Sequence, residues 1–292
     1  MIQTAQESGF FIGGAARSGT TLIADMLGLH TSLSAVYETD MVISFLEWIR
    51  NGQGSQLEKA TKTCFGWASI QLPHLWKYET KKMVFHHGSH RILFTPNQVH
   101  QALKDFLQGL GKQNYLIKLN IFINTLFTYH SEIEKKPFWI NKTPKYVVWL
   151  PELKLLFPKM KFIHCIRDGR DVACSVVKHP FGPDTHIRSV YWWKDLVSIA
   201  KEFGRQNPEN YYEVKLEDLT EAPKETLSGV FNFLGVEDES KYLIDRFYSG
   251  RQGITISKGR GGLWRQELSE ELKEKFWVET GELLTELGYQ KN

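Results

Sequence analysis

Near the start of the chain the hydrophobic pattern changes period once. Phe10-Phe11-Ile12 is a continuous apolar run, Gly13-Gly14-Ala15-Ala16-Arg17-Ser18-Gly19-Thr20-Thr21 is rich in glycine and small polar residues, and apolar residues then recur at 22, 23, 26 and 27. A short continuous run is the pattern of a buried strand, and the later spacing is one face of a helix. The segment therefore predicts a strand, a glycine-rich loop and a helix in immediate succession.

The same alternation continues. Strands are predicted at 33–37, 115–117, 138–140, 161–166 and 211–214, and helices over 41–50, up to about 157, after Asp171 with Val172, Ala173, Val176 and Val177 on the apolar side, and over 186–203, 219–234 and 269–287. The 161–166 run is almost wholly apolar, as expected of a central parallel strand covered on both faces. Trp192 and Trp193 read as core residues on their helix. Strands alternating with helices predict an α/β protein with a central, mainly parallel sheet flanked by helices, and the glycine-rich loop between the first strand and helix makes the expectation a three-layer P-loop fold. With 292 residues, 42% of them hydrophobic, one large core is affordable and a single domain over 1–292 is expected.

Charge and cysteine content narrow the picture only slightly. A formal net charge of +3 gives no ground for nucleic-acid binding and suits a protein that handles anionic ligands. Cys64, Cys165 and Cys174 are an odd, widely spaced set without metal-ligand pairing, so reduced thiols are expected. Residues 1–7 lack a basic region leading into an apolar core, and no stretch reaches 18 apolar residues; a soluble, cytoplasmic protein without a membrane span is the expectation.

The candidate chemistry sits at predicted strand ends. Gly14-x-x-x-x-Gly19-Thr20-Thr21 has Walker A spacing, but Thr20 stands where the lysine belongs and Arg17 lies three residues earlier. Such a loop offers successive N–H groups and a helix N-terminus to an anion. Glu38 follows the second strand, where ligands of parallel sheets bind; capping of the next helix is the alternative for Glu38 or Asp40. Lys142, in Asn141-Lys142-Thr143-Pro144, is expected on an extended turn past another strand end. The 161–166 strand runs into Arg167-Asp168-Gly169-Arg170-Asp171, where a Walker B strand would end in a metal-holding aspartate. Arg167, with Ser175 further along the helix, suits a second phosphate; a surface cluster pairing Arg170 with Asp168 or Asp171 is the alternative.

Ser257-Lys258-Gly259-Arg260-Gly261-Gly262-Leu263-Trp264 reads as a flexible basic loop able to close over an anion. His86, His87 and His90 lack acidic or cysteine partners at ligand spacing and read as a polar loop rather than a metal site. The irregular, aromatic and basic stretch 51–115 is the expected place for acceptor recognition.

Together these motifs resemble those of sulfotransferases that use 3′-phosphoadenosine-5′-phosphosulfate (PAPS). Ala16, Arg17, Ser18, Gly19, Thr20 and Thr21 are similar to that family's loop for the 5′-phosphosulfate, Arg167 and Ser175 to its 3′-phosphate site, and Lys258, Gly259 and Arg260 to the basic loop reaching the same phosphate. The likeness covers about residues 10–50 and 138–280 and is nearest to the tyrosylprotein and bacterial branch. It implies Glu38 as general base, or failing that a histidine from the unmatched stretch, with Lys142 contacting the transferring sulfonate; Arg17, the cation of the loop, is expected to offset negative charge there with Lys142. The implied donor is PAPS, the implied product adenosine 3′,5′-bisphosphate (PAP), and no metal is required. Acceptors compatible with it are a sugar hydroxyl, a phenol, a peptide tyrosine, or a lipid or polyketide hydroxyl. Leu216 departs from the tyrosylprotein pattern, which has an aromatic residue there. Alternatives are an ATP-dependent kinase with a degenerate phosphate loop and a non-catalytic nucleotide-binding protein.

Overall fold

The computed structural model describes residues 9–38, 40–51, 96–250 and 261–292. Its strands are β1 (Phe10–Gly14), β2 (Leu33–Tyr37), β3 (Phe138–Lys142), β4 (Lys161–Ile166) and β5 (Tyr211–Lys215). They form a five-stranded sheet in the order β2-β3-β1-β4-β5, and both β2 with β3 and β4 with β5 pair in parallel. The helices are α1 (Thr20–Leu27), α2 (Asp40–Asn51), α3 (Pro96–Leu107), α4 (Tyr115–Ile133), α5 (Leu150–Leu156), α6 (Gly169–Val176), α7 (His186–Gln206), α8 (Leu216–Glu221), α9 (Pro223–Leu234), α10 (Ser240–Gly250), α11 (Trp264–Glu267) and α12 (Glu270–Glu286). This mainly parallel sheet flanked by helices is the α/β class expected from the sequence.

The chain divides into two compact units, one of Met1–Phe11 with Ala24–Lys161 and one of Ile12–Ile23 with Phe162–Asn292. In the first, β2 and β3 run in register from Leu33↔Phe138 to Tyr37↔Lys142, which sets the two carboxyl ends side by side. An aromatic cluster backs them: the Phe11 ring makes edge contacts with Trp139, Tyr146 and Phe157 at centroid distances of 5.5, 5.4 and 5.2 Å. Such geometry adds roughly 0.5–1.5 kcal/mol per pair beyond area burial. In the second unit, Val172, Ala173, Val190, Trp193, Val197, Phe276 and Leu284 are fully buried in one cluster that joins α6, α7 and α12.

Local chemistry explains where the elements begin. The Asp168 carboxylate accepts the Arg170 N–H at 2.9 Å and opens α6 directly after β4. Thr185 and Ser269 cap α7 and α12 in the same way, through the N–H groups of Arg188 and Leu272. Gly235, with φ 72°, supplies the left-handed residue that ends α9.

Three local expectations need correction. Residues 115–117 are not a strand but the first turn of α4, whose buried Leu119, Phe122, Ile123, Leu126 and Phe127 follow at helical spacing. The helix expected over 219–234 is two helices, because Pro223 lacks the N–H that would continue the first. Lys142 is the last residue of β3 itself, and the extended turn begins at Thr143. Helices α3 and α10 were not anticipated.

Candidate functional site

The second unit holds the phosphate-type loop. Its entry depends on Gly14: a Cβ there would come within 2.3 Å of the Cys165 carbonyl oxygen, so β1 meets β4 at a distance only glycine allows. The Ser18 N–H then closes a tight turn on the Ala15 carbonyl at 3.1 Å. Arg17 and Gly19 both have left-handed backbones, φ 74° and 86°. For arginine that conformation costs about 1–2 kcal/mol, and strain of this kind persists where a loop is shaped for a ligand. Thr20 begins α1, whose N-terminus carries partial positive charge. The Ser18 hydroxyl is buried and has no hydrogen-bond partner among the described residues, a polar group that an anion oxygen would satisfy.

Three of the predicted residues converge on this loop. Arg17 Nε donates to Ser175 Oγ at 3.1 Å, although the two lie 158 positions apart, and Arg167 Nη1 donates to the Arg17 carbonyl at 3.4 Å. Arg167 Nη2 lies 3.8 Å from Asp171 Oδ2, and the Asp171 carboxylate accepts the N–H groups of Gly262 at 2.7 Å and Trp264 at 3.0 Å. Burial pushes the Asp171 carboxyl above its usual range, partly opposed by these two N–H groups and by Arg167. The loop thus has the Arg17 and Arg167 guanidinium groups close to its backbone, with Arg167 also facing Asp171.

Arg170, three residues after Arg167, belongs to the fold. It does pair with Asp168, but in the core rather than at the surface. Nε and Nη2 reach Asp168 at 3.0 and 2.8 Å, Nη1 and Nη2 donate to the carbonyls of Lys291 and Gln290 at 2.9 and 2.8 Å, and the guanidinium lies 3.7 Å from the centre of the Trp264 ring. Trp264 is buried in α11 rather than part of a flexible loop. Glu217 completes this region. It accepts the Asp168 N–H at 3.1 Å and the Tyr289 hydroxyl at 3.0 Å, and burial raises its carboxyl above the usual range.

The first unit holds the second pair of predicted residues. Glu38 follows β2, Lys142 ends β3, and the Lys142 ammonium makes a short contact with Glu38 Oε1. The lysine side chain is 3% exposed and the glutamate side chain 60%, so a buried cation holds a carboxylate that faces outward. The Glu38 N–H donates to the Lys142 carbonyl at 2.7 Å with φ 36°, which fixes the backbone of the acid as well. Two neighbours were not singled out from sequence. Tyr37 has its ring 5.4 Å from Lys142 Nζ, and its hydroxyl donates to Asp25 Oδ1 at 2.6 Å. The available signal was Asp25 itself, a carboxylate inside the apolar run 22–27 and buried in the structure.

Lys258, Gly259 and Arg260, the histidines at 86, 87 and 90, and Cys64 lie outside the described residues. Cys165 and Cys174 are buried free thiols, and burial pushes the Cys174 thiol up to about 12. Among the described residues no group of three His, Cys, Asp or Glu side chains is placed to hold a metal ion, and no helix is long and apolar enough to cross a membrane.

With this geometry in hand, comparison with known proteins is specific. Residues 9–240 match the sulfotransferase family. A protein of Caenorhabditis briggsae named "Putative protein-tyrosine sulfotransferase" is 24% identical over 238 residues, 80% of this chain and 67% of that relative. A Caenorhabditis elegans protein of the same name is 28% identical over 132 residues, 43% of this chain and half of the relative. The fold is similar to the sulfotransferase domain of the Synechococcus PCC 7002 olefin synthase, with TM-score 0.59 and 20% identity over 99% of this chain and 98% of that one. It is equally similar to a sulfotransferase domain from the curacin biosynthetic pathway, with TM-score 0.59 and 18% identity over 98% and 99% of the two chains. The chain belongs to the sulfotransferase family.

Proposed function

We propose that this protein transfers a sulfonate group from PAPS to a hydroxyl acceptor, with Glu38 as general base. The observation that carries the donor assignment is the convergence of Arg17, Ser175 and Arg167 on a phosphate-type loop that lacks the Walker lysine. A Walker B aspartate, the usual magnesium holder, is likewise replaced by Arg167. Residues 16–21 hold the phosphosulfate end, the Ser18 hydroxyl and the loop N–H groups donating to its oxygens, while Arg167, Ser175 and the segment 258–260 hold the 3′-phosphate. The donor supplies a sulfonate on a good leaving group.

The residues then divide the remaining work. Glu38 takes the acceptor's O–H proton as the new O–S bond forms and the S–O bond to the 5′-phosphate breaks, giving the sulfated acceptor and PAP. Lys142 and Arg17 offset negative charge on the sulfonate and the bridging oxygen, an effect worth about 3 kcal/mol per preorganised donor. The chain acts as one sulfotransferase domain over 1–292, with 51–115 contributing acceptor recognition. Buried free Cys165 and Cys174 suit a reducing, cytoplasmic setting.

Two measurements test this. Calorimetry is expected to show PAP binding that does not need magnesium; preference for magnesium ATP would instead identify a kinase. Incubation with radiolabelled PAPS and a panel of sugar, phenol, tyrosine-peptide and lipid hydroxyls is expected to label one class. The names of the two nematode relatives put the tyrosine peptide first. PAP binding without transfer to any class would leave a nucleotide-binding protein and overturn the catalytic assignment.

A further inference from the structure

Lys142 presents a physical problem that its partner alone does not solve. Its side chain is almost wholly buried, yet Glu38, the carboxylate it meets, is mostly in solvent. A buried ammonium loses its hydration, and an ion pair whose other half is wet recovers little of that loss. Something else must hold the cation at the end of β3.

The β2–β3 register supplies it. Tyr37 and Lys142 are paired positions on neighbouring parallel strands, so their side chains stand on the same face of the sheet. The phenol ring lies 5.4 Å from Nζ, within the range at which an aromatic face attracts a cation. Behind the ring, the Tyr37 hydroxyl donates to the Asp25 carboxylate at 2.6 Å, and Asp25 is buried on α1. A phenol that donates to a carboxylate is polarised toward phenolate, which makes its ring face more negative and its attraction for the ammonium stronger. Asp25, Tyr37, Lys142 and Glu38 thus form one chain of contacts within one unit of the structure.

We infer that Tyr37 and Asp25 are positioning residues for Lys142, and through it for Glu38. Asp25 orients and polarises the phenol, and the ring keeps the ammonium at the strand end. This rests on the catalytic roles proposed for Lys142 and Glu38, and the test separates the two.

The experiment compares Tyr37→Leu, Tyr37→Phe, Asp25→Ala, Lys142→Ala and the double variant Tyr37→Leu with Lys142→Ala, in the full chain. Turnover uses PAPS with the acceptor class found above. Tyr37→Leu is expected to lower kcat by about 5- to 30-fold, the weight of a desolvated cation–π contact, with acceptor KM and PAP affinity unchanged. Tyr37→Phe keeps the ring and is expected to restore most of the loss, and Asp25→Ala to match Tyr37→Phe. In the Lys142→Ala background Tyr37→Leu should cost nothing further. A second readout needs no acceptor: the rate of Lys142 acetylation by acetic anhydride, followed by peptide mass spectrometry, should rise several-fold in Tyr37→Leu. Unchanged kcat and unchanged acetylation in Tyr37→Leu overturn the inference, as does an equal loss in both backgrounds. If Lys142→Ala itself keeps full turnover, the proposed role of Lys142 fails, while the acetylation result still decides whether Tyr37 holds the lysine.

Discussion

Arg167 and Arg170 lie three residues apart just after β4; Arg170 is bound into the fold, and Arg167 is the one proposed to hold the donor. Replacing Arg170 with methionine removes two bonds to Asp168, two to the carbonyls of Gln290 and Lys291, and the stack on Trp264. The buried Asp168 carboxylate keeps only the N–H of residue 170 and the two carbonyls lose their donor. Breaking a buried pair from one side costs about 3–5 kcal/mol, and at roughly 2–4 °C per kcal/mol for a chain of this class the Tm should fall by about 6–20 °C. Replacing Arg167 leaves Asp171 with two N–H donors, so the loss of stability is expected to stay near 1 kcal/mol. Its effect should appear in binding, where charge-assisted hydrogen bonds to a phosphate are worth about 1.5–3 kcal/mol, or about 10- to 150-fold in PAP affinity. Thermal unfolding followed by circular dichroism gives the first quantity, and calorimetric titration with PAP well below the lowered Tm gives the second. An Arg170→Met variant with wild-type Tm, or one that loses PAP affinity as Arg167→Met does, would refute the division.

Three further outcomes follow from other parts of the molecule. Glu38→Gln should reduce transfer by at least about 100-fold, the usual scale of a lost general base, with PAP affinity intact by calorimetry. Gly14→Ala meets the Cys165 carbonyl at 2.3 Å and should cost about 3 kcal/mol or more on urea denaturation. The comparison variant Gly109→Ala, φ 64° with open space around it, should cost only about 1 kcal/mol. Glu217 titrates higher in the fold than its ordinary 4.5 because it is buried. The folded chain therefore binds the proton more tightly than the unfolded one, so its stability contribution is present below the unfolded pKa and is lost as pH rises through the raised folded pKa. Glu217→Gln should flatten the decline of urea stability with pH above about 4.5.

What the sequence made legible was whatever depends on neighbours in the chain. Strands β2 and β4 have the bounds expected of them because their apolar runs are closed at both ends by polar or turn residues. Residues 115–117 were misassigned because three apolar positions fit either period, and the helical signal lies in the residues after them. The candidate residues were found by their place at strand ends, and the structure keeps Glu38 with Lys142 and Arg17 with Ser175 and Arg167.

Which charged residue serves the fold and which serves a ligand is a different kind of fact. Arg167 and Arg170 have the same chemistry and nearly the same sequence context, and they diverge because Asp168, the Trp264 ring and the carbonyls of Gln290 and Lys291 all meet Arg170. Tyr37 and Asp25 are separated by 12 positions, and nothing local marks them as partners until β2 lies against α1, nor Tyr37 and Lys142 until β2 and β3 come into register. A carboxylate in an apolar helix, or an arginine beside two aspartates, is therefore a question addressed to the tertiary structure. The burial of each charge answers part of it: a cation held by a buried carboxylate, two backbone carbonyls and an aromatic ring, like Arg170, is committed to the fold, whereas the anion-binding role proposed for Arg17 and Arg167 is what the PAP titration decides.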